Sequence, residues 1–192
     1  TPINAENSNL GLDGCTFESN GQTLLKNTTA DIYDCTFESN QGINGGAINA
    51  DSSSYLNITD SEFTTNVATG EGGAIYASNL EVHDTLFMGN IAEIGGAIYV
   101  TDLTDRLINI TGCVFDNNVA TTYRNIYSES LTRKINLEYN EYDLNLTINV
   151  KDSVYGVEYI FDGIFDWGSN LNNNYTLLSG LLDDDIIGEV VT

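Results

Sequence analysis

Two short motifs recur along the chain, and their spacing constrains the fold more than any other feature of the sequence. The motif Gly-Gly-Ala-Ile starts at three positions, Gly45, Gly72 and Gly95. The motif Phe-x-x-Asn occurs five times and starts at Phe17, Phe37, Phe63, Phe87 and Phe115. Successive copies of the Phe lie 20 to 28 residues apart. Sequence self-similarity at such a period is typical of a solenoid, in which every repeat is one coil.

The residues before each Phe alternate between apolar and polar side chains, which predicts strands. The positions seven and five before the Phe are apolar, as in Leu56 and Ile58 ahead of Phe63. The position three before it is Gly or Asp, which indicates a bend. Each Gly-Gly-Ala-Ile copy supplies a further short strand, so we expect about three strands in each coil. A coil of this length fits one turn of a parallel β-helix, whose strands stack about 4.8 Å apart.

The C-terminal part of the chain follows a different pattern. From about residue 128 the repeat gives way to longer alternating runs, among them residues 144–150 and 157–161. We expect these runs to form a short antiparallel β segment. The predicted organisation is a parallel β-helix over residues 1–128 and a second unit over residues 129–192. The second unit is either a β cap on the apolar end of the solenoid or the truncated start of an Ig-like module. The fold class is all-β in both cases.

The chain is strongly acidic, with 28 Asp and Glu against 6 Lys and Arg and a formal net charge of −22. Nucleic acids and anionic membrane surfaces repel such a polyanion, so we expect neither as a partner. No apolar run is long enough for a signal peptide or a membrane span, so we expect no direct membrane insertion by these residues. The acidic surface favours solubility, and it also leaves open an attraction for divalent cations.

Three cysteines, Cys15, Cys35 and Cys113, each precede a repeat Phe by two positions. Ser61 and Thr85 fill the same position in the other coils. Such a column indicates a small-residue packing position, because free Cys behaves as a small buried apolar residue. Stacking would also bring Cys15 close to Cys35, so a disulfide stays open, although parallel Cβ vectors are poorly oriented for one. The spacing of the cysteines fits no zinc site.

The recurrent Asn and Gly residues are interpreted as structural. The Asn of each Phe-x-x-Asn motif would form a ladder in which side-chain amides bond to turn backbone and to each other. A polar ligand site is the alternative for this column, and we disfavour it. The Gly pairs would form tight corners, since none of them lies in the Gly-x-Gly-x-x-Gly pattern that binds phosphate.

Stacked carboxylates are the feature that would support catalysis. Asp34, Asp60 and Asp84 share the bend position, and Glu18 and Glu38 each follow a Phe. Stacking would place such carboxylates about 5 Å apart, near the separation in a retaining glycosidase. However, Gly fills the same bend position in other coils, which favours a turn-forming role for Asp, and no Asp-x-Asp-x-Asp-Gly loop supports a Ca²⁺ site. We therefore expect no enzyme activity, no catalytic residue, no metal site and no cofactor.

One aromatic column is the candidate ligand-binding site. Tyr76, Tyr99 and Tyr127 follow the Ile of successive copies and would point outward from one sheet. A flat row of exposed aromatics can stack on sugar rings or form a protein interface. The structural alternative is that the tyrosines stack across coils or are covered by the C-terminal segment. Separately, five sequons are candidate N-glycosylation sites, at Asn27, Asn57, Asn109, Asn145 and Asn174.

On these motifs the chain resembles the polymorphic-membrane-protein type of repeat, and it is most similar to adhesin-like cell-surface proteins of methanogenic archaea. The run Phe63-Thr-Thr-Asn66 followed by Gly72-Gly-Ala-Ile-Tyr-Ala77 carries both motifs, and the similarity covers roughly residues 8–128. Residues 146–156 are similar to the opening of the Ig-like modules that often follow such coils. The resemblance implies a right-handed β-helix that is extracellular, displayed on the cell surface and part of a longer secreted or anchored chain.

We therefore expect a non-enzymatic adhesin or stalk module whose flat faces contact a glycan or a surface protein of another cell. A carbohydrate-active β-helix enzyme, either a lyase or a glycosidase, is one alternative. It requires converging carboxylates and a loop inserted between coils, for which the short, even coil lengths leave little room. A purely structural spacer that holds a distal binding domain away from the cell wall is the other alternative.

Overall fold

The structure is a computed structural model that describes residues 2–101, 108–128, 135–138, 140–142, 148–150 and 159–162. Twenty-four strands in these ranges form four sheets that run along a solenoid. Each coil passes through the sheets in a fixed order, which we number from first to fourth. Every strand pairs in parallel with the equivalent strand of the next coil, so the core lies inside the coils and the sheets form the outer walls.

The first two sheets each contain seven strands. The first sheet carries the Gly-Gly-Ala-Ile copies and consists of β1 (Asn4–Glu6), β4 (Thr23–Lys26), β8 (Ile48–Ala50), β12 (Ile75–Ala77), β16 (Ile98–Val100), β20 (Ile126–Ser128) and β23 (Ile148–Val150). The second sheet consists of β2 (Asn9–Asp13), β5 (Thr29–Tyr33), β9 (Tyr55–Thr59), β13 (Leu80–His83), β17 (Ile108–Thr111), β21 (Ile135–Glu138) and β24 (Tyr159–Asp162).

The other two sheets are smaller. The third sheet carries the Phe residues and consists of β3 (Thr16–Glu18), β6 (Thr36–Glu38), β10 (Glu62–Thr64), β14 (Leu86–Met88), β18 (Val114–Asp116) and β22 (Glu141–Tyr142). The fourth sheet consists of β7 (Gln41–Gly42), β11 (Val67–Ala68), β15 (Ile91–Ile94) and β19 (Val119–Thr122). This fourth strand of the coil was not predicted from the sequence, because β7 and β11 are only two residues long and show no alternation.

The antiparallel arrangement expected for the C-terminal segment is wrong for its described strands. Strand β21 pairs in parallel with β17, β22 with β18, β23 with β20, and β24 with β21. They continue the solenoid because their residues extend its columns, with Ile135 in register with Ile108 and Tyr142 with Phe115. Alternation of apolar and polar residues is common to parallel and antiparallel strands, so it did not reveal the direction. The division at residue 128 stays a prediction, and residues 163–192 lie outside the described ranges.

Inward side chains form continuous columns along the solenoid. Phe37, Phe63, Phe87 and Phe115 are fully buried, and their rings stack at centroid separations of 4.7 to 5.1 Å. Phe17 in the first coil stacks on Phe37 at 4.8 Å and is half-buried. Since burying one Phe side chain stabilises a protein by about 1.5–3 kcal/mol, this column holds successive coils together.

The bend predicted three residues before each Phe is confirmed. Gly14, Asp34, Asp60, Asp84 and Gly112 all have φ between 49° and 66°, in the left-handed region. Gly enters this region without steric cost, and Asp is among the few other residues that tolerate it. The backbone conformation therefore explains why only Gly and Asp occur in this column.

The first Gly of each Gly-Gly-Ala-Ile copy forms another corner. Gly45, Gly72 and Gly95 have φ of 64° to 69°, and a Cβ on any of them would lie 1.9 to 2.5 Å from a backbone oxygen three residues further on. The degenerate fourth copy places Tyr123 at this corner with φ of 62°. The Gly pairs thus form tight backbone corners, as expected from the sequence.

Candidate functional site

The Asn residues of the Phe-x-x-Asn motif form a buried ladder of hydrogen bonds. The backbone N–H of Asn66 donates to the side-chain oxygen of Asn90 at 3.0 Å, and the side-chain amide of Asn66 donates to the same oxygen at 3.0 Å. That amide also donates to the backbone carbonyl of Phe37 at 2.9 Å. Asn40 repeats the same three bonds one coil earlier. The ladder therefore satisfies backbone groups, and its structural interpretation is confirmed.

A second ladder runs through the column of Cys, Ser and Thr. The backbone N–H of Cys35 donates to the Ser61 hydroxyl at 3.1 Å, and this hydroxyl donates to the carbonyl of Thr59 at 2.9 Å. Equivalent bonds join other coils. The backbone N–H of Cys15 donates to the Cys35 sulfur, and the backbone N–H of Ser61 donates to the Thr85 hydroxyl. The small-residue column was predicted from the sequence, but these bonds were not. The signal was available, because Cys, Ser and Thr all carry a group that both donates and accepts.

The three cysteines are free thiols, and no bridge joins Cys15 to Cys35 in this structure. Burial raises the pKa of Cys113 to about 12, and its thiol lies 3.4 Å from the carbonyl of Thr111. Burial also raises the pKa of Cys35. A thiol with a raised pKa stays protonated near neutral pH and is a weak nucleophile. These two cysteines therefore act as buried hydrogen-bond donors.

The stacked carboxylates lie in rows along the outside of the solenoid. Asp34, Asp60 and Asp84 are exposed at the corner between the second and third sheets. Glu18 and Glu38 are in register on the third sheet and are also exposed. Among the residues that the structure describes, no group of three or more His, Cys, Asp or Glu side chains is arranged to hold a metal ion.

The tyrosine column has the predicted register, but not the predicted exposure. Tyr76, Tyr99 and Tyr127 pair in one outward column of the first sheet. The Tyr76 and Tyr99 rings stack at 5.3 Å, the Tyr99 and Tyr127 rings lie 4.8 Å apart, and Tyr123 stacks on Tyr127 at 4.8 Å. Tyr99 is only 2% exposed and Tyr127 only 7%, whereas Tyr76 is half-buried. The expected exposure is wrong for Tyr99 and Tyr127, which are buried and whose rings stack on neighbours in the column. A ligand-binding role for the column stays a prediction.

Three of the five sequons lie in described parts of the solenoid wall. Asn57 and Asn109 occupy one outward column of the second sheet and are half-buried. Asn27 is exposed and lies at a corner with φ of 46°. Glycosylation of these residues stays a prediction. The other two sequons, at Asn145 and Asn174, lie outside the described residues.

The third and fourth sheets carry exposed apolar side chains that sequence analysis did not single out. Met88, Ile91 and Val119 are 39%, 44% and 48% exposed. Three half-buried apolar residues adjoin them: Leu86 lies on the strand of Met88, Val114 is in register with Leu86, and Val67 is in register with Ile91. We define the apolar strip as these six residues, Val67, Leu86, Met88, Ile91, Val114 and Val119. The sequence contained a signal, because the column of Met88 is polar in every other described coil.

The stacked coils, the buried Phe column and the Asn ladder define a parallel β-solenoid whose repeat motifs build the coil. A profile of the Chlamydia polymorphic membrane protein repeat matches residues 60–78 and 84–101. Each matched segment runs from the Asp bend through Phe-x-x-Asn and ends three residues beyond the Ile of Gly-Gly-Ala-Ile. The chain therefore carries repeats of the polymorphic membrane protein type. Within the described residues, no helix has the length and apolarity needed to cross a bilayer.

Two curated proteins share this similarity. A protein of Escherichia coli (strain K12) described as "Probable autotransporter YfaL" is 42% identical over 112 residues, which cover 53% of this chain and 8% of that protein. A protein of Chlamydia muridarum (strain MoPn / Nigg) described as "Probable outer membrane protein PmpG" is 40% identical over 62 residues, or 30% of this chain and 6% of that protein. The chain thus spans less than a tenth of each of these relatives. No solved structure gives a significant match to it.

Proposed function

We propose that this chain is a non-enzymatic module of a cell-surface protein and that it acts as an adhesin or stalk. The proposal rests on the burial of the motif residues inside the solenoid. Phe63, Asn66 and Ser61 are all buried in columns that join one coil to the next. The repeats therefore build a rigid rod, and only the outward faces of its sheets are left to contact another molecule.

The names of the relatives support the location. One is described as an outer membrane protein and the other as an autotransporter, and both are similar to part of this chain. We place the chain outside the cell, on the surface of the organism that makes it. The finer prediction, an adhesin-like protein of a methanogenic archaeon, stays a prediction.

The partner in this proposal is a glycan or a surface protein of another cell. The tyrosine column is the candidate contact for a glycan, with Tyr76 as its most exposed member. The net charge of −22 argues against nucleic acid, because phosphate groups and the protein repel each other. The spacer function remains the competing proposal, since a rod of stacked coils also separates two domains without binding anything.

A bead-retention assay tests the adhesin function. Beads coated with the protein are mixed with a panel of bacterial, archaeal and animal cells and are also applied to a glycan array, each with and without Ca²⁺. Beads coated with an unrelated protein of similar size and net charge control for electrostatic adsorption. We expect retention that saturates and that excess soluble protein blocks. Retention no greater than that of the control beads, from a folded sample, would favour the spacer.

A further inference from the structure

We propose that the apolar strip is the contact surface for a protein partner whose own surface is apolar and flanked by Lys or Arg. This inference rests on the proposed adhesin function. Of the two partner classes in that proposal, a glycan and a surface protein, it selects the surface protein. The strip belongs to the walls formed by the third and fourth sheets, whereas the tyrosine column belongs to the first sheet.

The strip is continuous across neighbouring coils. Leu86 and Val114 are in register on the third sheet, and Val67, Ile91 and Val119 are in register on the fourth. Met88 and Ile91 lie on either side of the corner at residues 89–90 that joins the two sheets. Contiguous exposed apolar side chains on a folded protein mark interaction sites, and the fully buried core of a protein interface is similarly apolar.

Acidic side chains surround the strip. Glu62 is exposed and in register with Leu86, one coil earlier. Asp116 is in register with Met88, one coil later, and Glu93 is exposed on the same strand as Ile91. Of the two basic residues with described side chains, Lys26 lies on the first sheet. Arg124 lies beside the strip, because its Nε donates to the carbonyl of Asn118 at 2.7 Å, but the three carboxylates outnumber it. An apolar centre with an acidic rim is complementary to an apolar surface flanked by basic groups.

A protein fits this surface better than a glycan does. Sugar rings pack on exposed aromatic faces, and the strip contains no aromatic residue. Among the described side chains, Tyr33 is the one strongly exposed aromatic, at 52%, and it lies on the second sheet. Aliphatic and Met side chains are instead the material of adaptable protein interfaces.

The test uses a variant whose new residues are taken from the chain's own columns. Thr64 precedes Met88 in its column, and Gln41 precedes Ile91 and Val119 in theirs. The variant Met88→Thr, Ile91→Gln, Val119→Gln therefore replaces apolar surface with residues that the same sheets already accommodate. Ile43→Gln is the matched control, because Ile43 is 74% exposed and lies outside the strip.

The readout is retention of coated beads by the cells that retain the unmodified protein, before and after treatment of those cells with protease or with periodate. We expect cells to retain at least about tenfold fewer beads coated with the triple variant than beads coated with the unmodified protein, since hot-spot contacts dominate an interface. Beads coated with the Ile43 variant should be retained as well as beads coated with the unmodified protein. Protease treatment should abolish retention, high salt should only weaken it by screening the acidic rim, and periodate should leave it unchanged. Full retention of the triple variant would overturn the inference and leave the adhesin function standing. Sensitivity to periodate alone would overturn the partner class. If no cell retains the unmodified protein, both proposals fall.

Discussion

The side-chain oxygen of Asn90 accepts two hydrogen bonds from Asn66, one from its backbone N–H and one from its side-chain amide, each at 3.0 Å. Both residues are completely buried. Both bonds are donated by the preceding coil, so they hold that coil in position relative to the next one. The Asn ladder therefore fixes the register of the solenoid.

Replacing Asn66 with Ala should destabilise the solenoid strongly. The N–H and amide of Asn40 lose their acceptor, and the carbonyl of Phe37 loses its donor. Each unsatisfied buried group costs about 1–3 kcal/mol, so we expect urea unfolding to show a loss of about 3 kcal/mol or more. Asn20→Ala is the matched control, because Asn20 belongs to the same column but is only half-buried. Equal losses for the two variants would argue against a buried ladder.

Replacing Phe87 with Ala should remove stacking on both sides. Phe87 is fully buried, 5.1 Å from the Phe63 ring and 5.0 Å from the Phe115 ring. A cavity left by a buried Phe costs about 3–5 kcal/mol, which thermal unfolding would report as a lower Tm. Phe17→Ala should cost less, because Phe17 is half-buried and stacks on one ring. An unchanged Tm for the Phe87 variant contradicts the stacking.

The stability of the protein should fall at alkaline pH because of Cys113. Burial raises the pKa of this thiol from its ordinary 9.0 to about 12. Between these values the unfolded thiol ionises and the folded thiol does not, so the free energy of unfolding decreases as pH rises, by at most about 1.4 kcal/mol per pH unit. Below pH 9.0 this contribution is constant. Urea unfolding at a series of pH values measures it.

The matched variant for this effect is Cys113→Ser, which copies Ser61 in the same column. A hydroxyl does not ionise in this range, so the variant should lose less stability than the unmodified protein above pH 9.0. The same pH dependence in both proteins would show that Cys113 is not the source.

Replacing Tyr99 with Ala distinguishes the two interpretations of the tyrosine column. Tyr99 is 2% exposed between the rings of Tyr76 and Tyr127, so we expect a loss of about 3–5 kcal/mol in the free energy of unfolding. Tyr76→Ala should cost less, because Tyr76 is half-buried. A Tyr99 variant of unchanged stability that no longer binds cells would instead support a ligand-binding role.

Much of the solenoid could be predicted from its side chains. The columns of Phe63, Asn66 and Asp60 were identified because each structural role in the coil admits only one or two residue types. Phe63 stacks its ring, Asn66 bonds through its amide, and Asp60 has a left-handed φ. The fourth sheet was missed because strands such as Val67–Ala68 are too short to alternate. The C-terminal strands were misjudged because the glycines that mark the period are absent there, although Ile135 and Tyr142 continue the columns in register.

The surface could be predicted less well than the core. The outward direction of Tyr99 followed from the alternation along its strand, but its ring contacts are with Tyr76 and Tyr127 in adjacent coils, which lie 23 and 28 residues away. The apolar strip joins residues of two sheets, such as Met88 and Ile91, that share no motif. Such a surface emerges only when the coils are stacked.

Each coil stacks on the next in register, and the distance between two spin labels measures this stacking. Residues 18 and 116 lie in one outward column of the third sheet and are separated by four coil steps. With labels at these two positions and Cys15, Cys35 and Cys113 replaced by Ser, pulsed electron resonance measures their separation. Four steps of about 4.8 Å predict a narrow distribution centred at about 2 nm. A broad distribution, or one centred beyond about 3 nm, would contradict a stack of parallel coils.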